Sequence, residues 1–277
     1  MRKKGELMNH KILFADLDAT LLCDDKSISE KNATAIRKML QEGHYIALAT
    51  GRPVESGRTV VRELGLTVPG CYMIAFNGAV LYDCAADRVL LRRSIPVDVV
   101  QELFERAKRA GLYIQTYNNT DVITTKHAKE LDYYIKRSRI SYKLADNVLD
   151  ALEEEPQKVL LIELDKKDRL VRFQKNNLSW EKGKCTSFFS CKEYLEYCPC
   201  GISKATGVRE LTKILNMPLD STIAVGDEQN DISMIQEAHI GVAVKNAIPE
   251  AKAVADYVTE NDNNHDAIAE VIEKFVL

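Results

Sequence analysis

The sequence predicts an α/β protein: a doubly wound parallel sheet interrupted by an inserted α+β domain. Three observations carry that expectation. Short apolar runs alternate with amphipathic helical segments over the first 83 residues and again in the last quarter. The links between them are short, as parallel β–α–β units require. From about Cys84 to Cys200 the rhythm breaks into more polar strands and charged helices.

The first element, KILFADLDATLL from Lys11 to Leu22, is an apolar strand (Ile12, Leu13, Phe14) that delivers Asp16 and Asp18, with Thr20 close behind. Two acids after a strand can simply open a turn, so their meaning depends on the rest of the chain. DDKSISEKNATAIRKMLQEGHYIALAT then reads as loop, helix and strand. Ser27 and Glu30 have capping-box spacing, Ala33, Ile36, Met39 and Leu40 form an apolar stripe, and Gly43 ends the helix. HYIALATGRP is a strand running into Thr50, Gly51, Arg52 and Pro53. A second helix places Val60, Val61 and Leu64 on one face, and CYMIAFNGAVLYD reads as the next strand.

In the last quarter, GVRELTKILNM is helical, STIAVGD a strand, NDISMIQEA a helix, IGVAV a strand and NNHDAIAEVIEKFVL a closing amphipathic helix. Asn230 and Asp231 would serve as a helix N-cap in any such protein. The charge runs in the middle, LEEEP and DKKDRLVRFQKNN, read as solvated faces. The expected organisation is a tail over 1–10, a core built from 11–83 and 201–277, and an inserted domain over 84–200.

Bulk properties narrow the function. A chain of 277 residues, 45% hydrophobic, 29% charged and of net charge −3, is an ordinary globular composition. The balance argues against a nucleic-acid binder that relies on a basic face. No apolar run is long enough to span a bilayer. The opening MRKKGELMNHK lacks the apolar stretch of a signal peptide and reads as a loose tail, with Met8 an alternative start. Seven cysteines, an odd count, fit reduced thiols in a cytoplasmic protein. Cys185, Cys191, Cys198 and Cys200 fall close together but lack the C-x2-C knuckle of structural zinc sites, so small buried thiols explain them more economically.

In open α/β sheets, ligands bind beyond the carboxyl ends of the strands. There the sequence places Asp16 and Asp18, then Thr50, Gly51 and Arg52, then Gly226 and Asp227, with Asn230 and Asp231 opening the next helix and Lys204 starting another. Crowded carboxylates need a cation to hold them charged. An all-oxygen set suits a hard ion, Mg²⁺ in particular, which binds through one or two carboxylates plus a phosphate. A lysine, a threonine hydroxyl and free backbone N–H groups are what a phosphoryl group requires around its oxygens. The fitting chemistry is phosphoryl transfer to a carboxylate nucleophile.

DLDATLL, ATGRP, GISKATGV and GDEQNDISM resemble, in order, the four motifs of the haloacid dehalogenase superfamily of phosphohydrolases. The insertion resembles the C2B cap of its Cof-type subgroup (subfamily IIB), and FNGAVLYD is similar to the segment leading into that cap. The resemblance spans nearly the whole chain, and four motifs in order make it specific. Ala19 stands where the family pattern has Gly, and Ala205 follows the lysine where Gly is frequent; both are small, so only turn flexibility should change.

The resemblance implies a Rossmann-like core and a Mg²⁺-dependent phosphatase of small phosphomonoesters, such as sugar phosphates or phosphorylated cofactors. Asp16 would attack phosphorus, forming an aspartyl-phosphate. Asp18 would protonate the leaving oxygen and then take a proton from the hydrolytic water. Mg²⁺ would be held by Asp16, the Asp18 backbone carbonyl and Asp227. Thr50 and Lys204 would bind the phosphoryl oxygens, with Gly51 and Arg52 bordering them and Asn230 reaching phosphate or substrate. Asp231 would orient Lys204 or support the metal's outer coordination sphere. Tyr117 and Asn118 are candidate readers of the leaving group. The partner is a small phosphorylated metabolite rather than nucleic acid or membrane.

Three rivals stand beside this reading. A response-regulator receiver also gathers acids, Thr and Lys around Mg²⁺, but in a domain less than half this length and with its acceptor on a later strand. A phosphomutase or phosphotransferase would share the aspartyl intermediate. A phosphometabolite sensor without turnover would have no need of an acid at Asp18.

Overall fold

The computed structural model describes residues 10–166 and 168–277. The expected tail, including Met8, lies outside the described residues apart from His10. Strand β1 (Ile12–Asp16) is the keel of the larger sheet. Helix α1 (Glu30–Gln41), β2 (Tyr45–Ala49), α2 (Val54–Glu63) and β3 (Cys71–Ala75) follow, then β4 (Val80–Asp83) and β5 (Arg88–Arg92). After the insertion come α6 (Lys204–Ile214), β12 (Thr222–Gly226), α7 (Ile232–Glu237), β13 (Ile240–Ala243), α8 (Pro249–Val254), β14 (Tyr257–Val258) and α9 (Ala267–Phe275). The sheet order is β14-β13-β12-β1-β2-β3-β4-β5. Strands β14 through β3 run parallel, whereas β4 and β5 are antiparallel additions at one edge. The α/β reading therefore holds, with two differences of detail.

CYMIAFNGAVLYD is not one strand but a hairpin, because Phe76, Asn77 and Gly78 all adopt positive φ (49°, 55° and 109°) and turn the chain back. The Asn-Gly pair was the available signal. Helix α1 starts two residues later than the Ser27–Glu30 spacing suggests. Ser29 is the cap, accepting from the Asn32 N–H, while Ser27 closes a turn onto Asp25. The buried face of α1 carries Asn32, Ala35, Ile36 and Met39; Asn32 Oδ1 accepts from the Ala269 N–H, tying α1 to α9.

Between β5 and α6 the chain forms α3 (Val97–Ala110), β6 (Tyr113–Tyr117), β7 (Asp121–Thr124), α4 (Lys129–Ser138), β8 (Ser141–Leu144), β9 (Val159–Ile162), α5 (Asp168–Glu181), β10 (Cys185–Cys191) and β11 (Tyr194–Pro199). These strands make a separate sheet, β10-β11-β9-β6-β7-β8. The expected passage at 83/84 falls between β4 and β5, which still pair in the larger sheet. One face of the smaller sheet (Ile114, Val159, Leu161, Tyr197) packs with Leu103 of α3 and Phe173 of α5 in a core of its own. The opposite face (Tyr113, Tyr117, Leu160, Cys198) joins Phe76, Ala79 and Val80 of the larger sheet in one continuous apolar cluster. The four clustered cysteines divide accordingly: Cys185 sits on the first face, Cys198 on the second, Cys191 is half-buried and Cys200 exposed.

All four sheet edges are short, charged or irregular: β14 has two residues, β5 begins and ends in arginine, β8 carries Lys143, and β10 shifts register at Phe189–Cys191. No helix among the described residues is long and apolar enough to cross a membrane.

Candidate active site

Strand β1 and the turn after it are anchored by Ile12, Leu13, Phe14 and Leu17, all fully buried. Each such side chain contributes about 1.5–3 kcal/mol, enough to offset holding an acid at the strand's end away from water. Asp16 there and Asp227 at the end of β12 are each 7% exposed. Gly226 lets Asp231 approach, since a Cβ on it would lie 2.4 Å from the Asp231 Cβ. One carboxylate oxygen each from Asp16, Asp227 and Asp231 then falls within 4.8 Å of the others.

Lys204, fully buried at the start of α6, donates to Asp16 Oδ1 and Asp231 Oδ1, both at 2.5 Å. Ser203 caps this helix with Thr206 in a reciprocal capping box, fixing where the lysine emerges. The second Asp231 oxygen accepts the N–H groups of Asp227 and Glu228 at 3.1 and 3.0 Å. Asp231 is therefore not a side-chain cap of α7. Its oxygens are spent on Lys204 and the β12–α7 turn. Thr20 Oγ1 donates to Asp227 Oδ1 at 2.8 Å, a role for Thr20 that the sequence reading left unassigned.

Three carboxylates against one ammonium leave an excess of negative charge. Burial pushes the Asp16 carboxyl well above the ordinary range despite the Lys204 ammonium, and Asp231 and Asp227 add to the push. Burial, then repulsion from Asp231, raises Asp227 to about 7. Burial also works against the Lys204 charge, but Asp16 and Asp231 outweigh it and keep the lysine protonated. Among the described residues, Asp16 Oδ2 and Asp227 Oδ2 accept no hydrogen bond. Buried acids of raised pKa with free oxygens are the donor set a hard divalent cation neutralises.

Asp18 points elsewhere. It accepts from Arg52 Nε and Nη2 at 2.9 and 2.7 Å and from Lys26 Nζ at 2.8 Å. Burial opposes its charge, yet Arg52 and then Lys26 hold its carboxyl far below the usual range. Thr50 is 2% exposed and its hydroxyl oxygen accepts the Arg52 N–H at 3.1 Å. Asn230 Nδ2 donates to Asn77 Oδ1 at 3.0 Å. Gly51 passes so close to Asn77 that a Cβ would lie 3.1 Å from its amide nitrogen.

The expected residues thus converge on one opening of about 300 Å³, lined by Asp16, Asp18, Thr50, Gly51, Arg52, Asp227, Asn230 and Asp231, while Lys204 lies buried behind its carboxylate partners. The smaller sheet and α4 form the opposite wall through Tyr134, Arg137, Lys158, Tyr194 and Glu196. None of these five was singled out beforehand, because they come from separate elements with no shared spacing. Neither proposed reader lines the opening: Tyr117 is 1% exposed and packs edge-on against Phe76 and Tyr134, and Asn118 holds the β6–β7 turn. The two family departures also find places. Ala19 takes φ 62°, the left-handed conformation that explains a glycine there, and Ala205 is an ordinary buried helical residue of α6.

A family model described as haloacid dehalogenase-like hydrolase matches residues 13–272. The 5-amino-6-(5-phospho-D-ribitylamino)uracil phosphatase YitU of Bacillus subtilis is 27% identical over 266 residues, covering 95% of this chain and 97% of its own. A haloacid dehalogenase-like hydrolase of Bacteroides thetaiotaomicron shares 28% identity at a TM-score of 0.87, covering 96% of this chain and 99% of its own. The fold of a subclass IIB sugar phosphatase of the same superfamily matches at a TM-score of 0.80, 22% identity, and 96% and 98% coverage. The chain belongs to the haloacid dehalogenase-like hydrolases, with the Cof-type, subclass IIB architecture, and is a phosphoric monoester hydrolase of that family.

Proposed function

We propose that the chain is a Mg²⁺-dependent phosphatase of small phosphomonoesters, sugar phosphates or phosphorylated cofactors, working through an aspartyl-phosphate on Asp16. The observation that carries the reading is the convergence of Asp16, Asp227 and Asp231 on Lys204 at the carboxyl ends of β1 and β12. Asp16, Asp227 and the Asp18 backbone carbonyl would hold the ion, which when bound offsets the negative charge between nucleophile and phosphate. An Asp16 oxygen bonds to phosphorus as the ester P–O bond breaks, and Lys204 favours the ionised form of that carboxylate and orients it. Thr50, Gly51 and Asn230 border the phosphoryl oxygens. Asp231 acts through Lys204, which it orients.

Asp18 manages protons in two stages. Held by Arg52 and Lys26 it is ionised, the state needed to take a proton from the water that hydrolyses the aspartyl-phosphate. To protonate the leaving oxygen first, it must be released from those cations, and an arriving phosphate dianion competes for both. Residues 84–200 would serve as the cap, which excludes water and reads the leaving group through Tyr134, Arg137 and Tyr194. An opening of about 300 Å³ suits a compact metabolite. Phosphate release from an aryl phosphate and a panel of sugar, nucleotide and cofactor phosphates, with and without Mg²⁺ and beside Asp16→Asn, tests the proposal. Mg²⁺-dependent release that vanishes in Asp16→Asn is expected. No release from any compound by folded protein overturns it.

A further inference from the structure

Two charged side chains that this chemistry does not use lie buried where the sheets meet. Lys158, just ahead of β9, is 2% exposed and Glu196, on β11, 3%. Lys158 Nζ stands 3.3 Å from Glu196 Oε2. Such a pair is a weak source of stability, because taking both ions out of water costs about as much as their attraction returns. Its other hydrogen bonds lead into the phosphoryl site.

Lys158 Nζ donates to the Gly51 carbonyl at 2.7 Å. That carbonyl shares one planar peptide unit with the Arg52 N–H, which donates to Thr50 Oγ1. Fixing one end of the plane fixes the other. With one lone pair taken by Arg52, the Thr50 hydroxyl is oriented and its single proton is left for a ligand in the opening. Glu196 Oε2 accepts Asn77 Nδ2 at 2.6 Å, while Ser190 Oγ donates to Oε1 at 2.5 Å. A carboxylate only accepts, so Glu196 selects which end of the Asn77 amide faces it and presents the carbonyl end to Asn230. The turn carrying Asn77 is strained: Phe76 sits at φ 49°, rare for an aromatic. The Lys158 ammonium holds it, 6.0 Å from the Phe76 ring centre and 5.1 Å from that of Tyr117.

We infer that Lys158 and Glu196 are positioning residues. Through the Gly51–Arg52 peptide and the Asn77 amide they set the Thr50 hydroxyl and the Asn230 side chain, so the phosphoryl site is complete only when the smaller sheet is seated on the larger. The inference rests on the reading of Thr50 and Asn230 as phosphoryl-binding groups.

The test uses Lys158→Met and the double variant Lys158→Met/Glu196→Gln, which leaves no unpaired buried charge. Amide exchange is read residue by residue, together with KM and kcat for p-nitrophenyl phosphate. In the double variant the Arg52 amide should exchange at least about tenfold faster while Leu13 and Val225 in the central strands keep their protection. KM should rise about tenfold, more than kcat falls. Unchanged Arg52 exchange and KM in a double variant that merely melts lower reduce the pair to packing and overturn the inference. Faster Arg52 exchange with a wild type that releases no phosphate sinks the phosphatase reading but leaves the Lys158–Gly51–Thr50 linkage standing. An active wild type with unaltered Arg52 exchange does the reverse.

Discussion

The larger sheet and the smaller one bury charge in opposite ways. At the ends of β1 and β12, three carboxylates crowd one ammonium, and among the described residues one oxygen each of Asp16 and Asp227 accepts no hydrogen bond. At the junction with β9 and β11, one lysine faces one glutamate, and every oxygen of Glu196 is matched to a donor. The first arrangement is unbalanced, as the proposed arrival of a cation and a phosphate would require. The second is balanced because it is made to hold position. Local stability and function are therefore separable here, and substitutions in the two places should have opposite signatures.

The largest contrast should come from Asp16→Asn. Loss of the proposed nucleophile should lower kcat by about 10⁴-fold or more, whereas thermal melting of the metal-free protein should hold or rise, since one repelling charge has gone. A clear drop in its melting temperature would mean that the carboxylates and Lys204 form a stabilising network rather than a strained one.

Breaking the balanced pair should do the reverse. Lys158→Met strands Glu196 in the interior and should cost about 3–5 kcal/mol in denaturant unfolding. Lys158→Met/Glu196→Gln should recover much of that loss. If the double variant is no better than the single, the cost lies in the Gly51 hydrogen bond rather than in the stranded charge.

Smaller again is the pH response of the unbalanced site. The folded-state pKa of Asp227 is raised from 3.8 to about 7, so the folded protein binds this proton more tightly than the unfolded chain does. Without metal, its ionisation disfavours folding above about pH 7, and the penalty is relieved as pH falls from about 7 toward 4. The full excursion is at most about 4 kcal/mol. Melting of metal-free protein from pH 8 to 5 should thus show a stabilising component that Asp227→Asn removes and saturating Mg²⁺ flattens. A wild-type profile superimposable on that of Asp227→Asn would contradict it.

The smallest effect belongs to Ala19. Its left-handed backbone costs about 1–2 kcal/mol; glycine would relieve that cost but lose part of the gain by loosening the unfolded chain. Ala19→Gly should therefore raise stability by up to about 1 kcal/mol, with the Ala19 carbonyl still accepting from Asn246.

The same contrast explains what could be read in advance. Asp16, Asp18, Thr50, Lys204 and Asp227 announce themselves because each ends a strand or opens a helix, where short-range patterns are informative. Their convergence follows from the parallel topology. Lys158, Glu196 and Asn77 carry no such local mark. Asn77 and Glu196 are 119 residues apart in the chain and meet only because one face of the smaller sheet packs on the turn between β3 and β4. The Asn-Gly turn was visible as a turn, but what it would touch was not. Likewise, two serines competed to cap α1, and the choice of Ser29 over Ser27 went with an extra bond from Ser29 Oγ to Asp266 beside α9, a contact outside any local window.

The guarded sheet edges have a consequence for handling and self-association. Among the described residues, two open sheets present four rims of backbone, each a template on which a stray strand could add. Here the rims are a two-residue stub, an arginine-flanked strand, a strand whose side chains all face water and one with a register break. None offers a long, flat, apolar strip, so aggregation should begin from partly opened molecules rather than from native ones, and turbidity on heating should follow unfolding instead of preceding it.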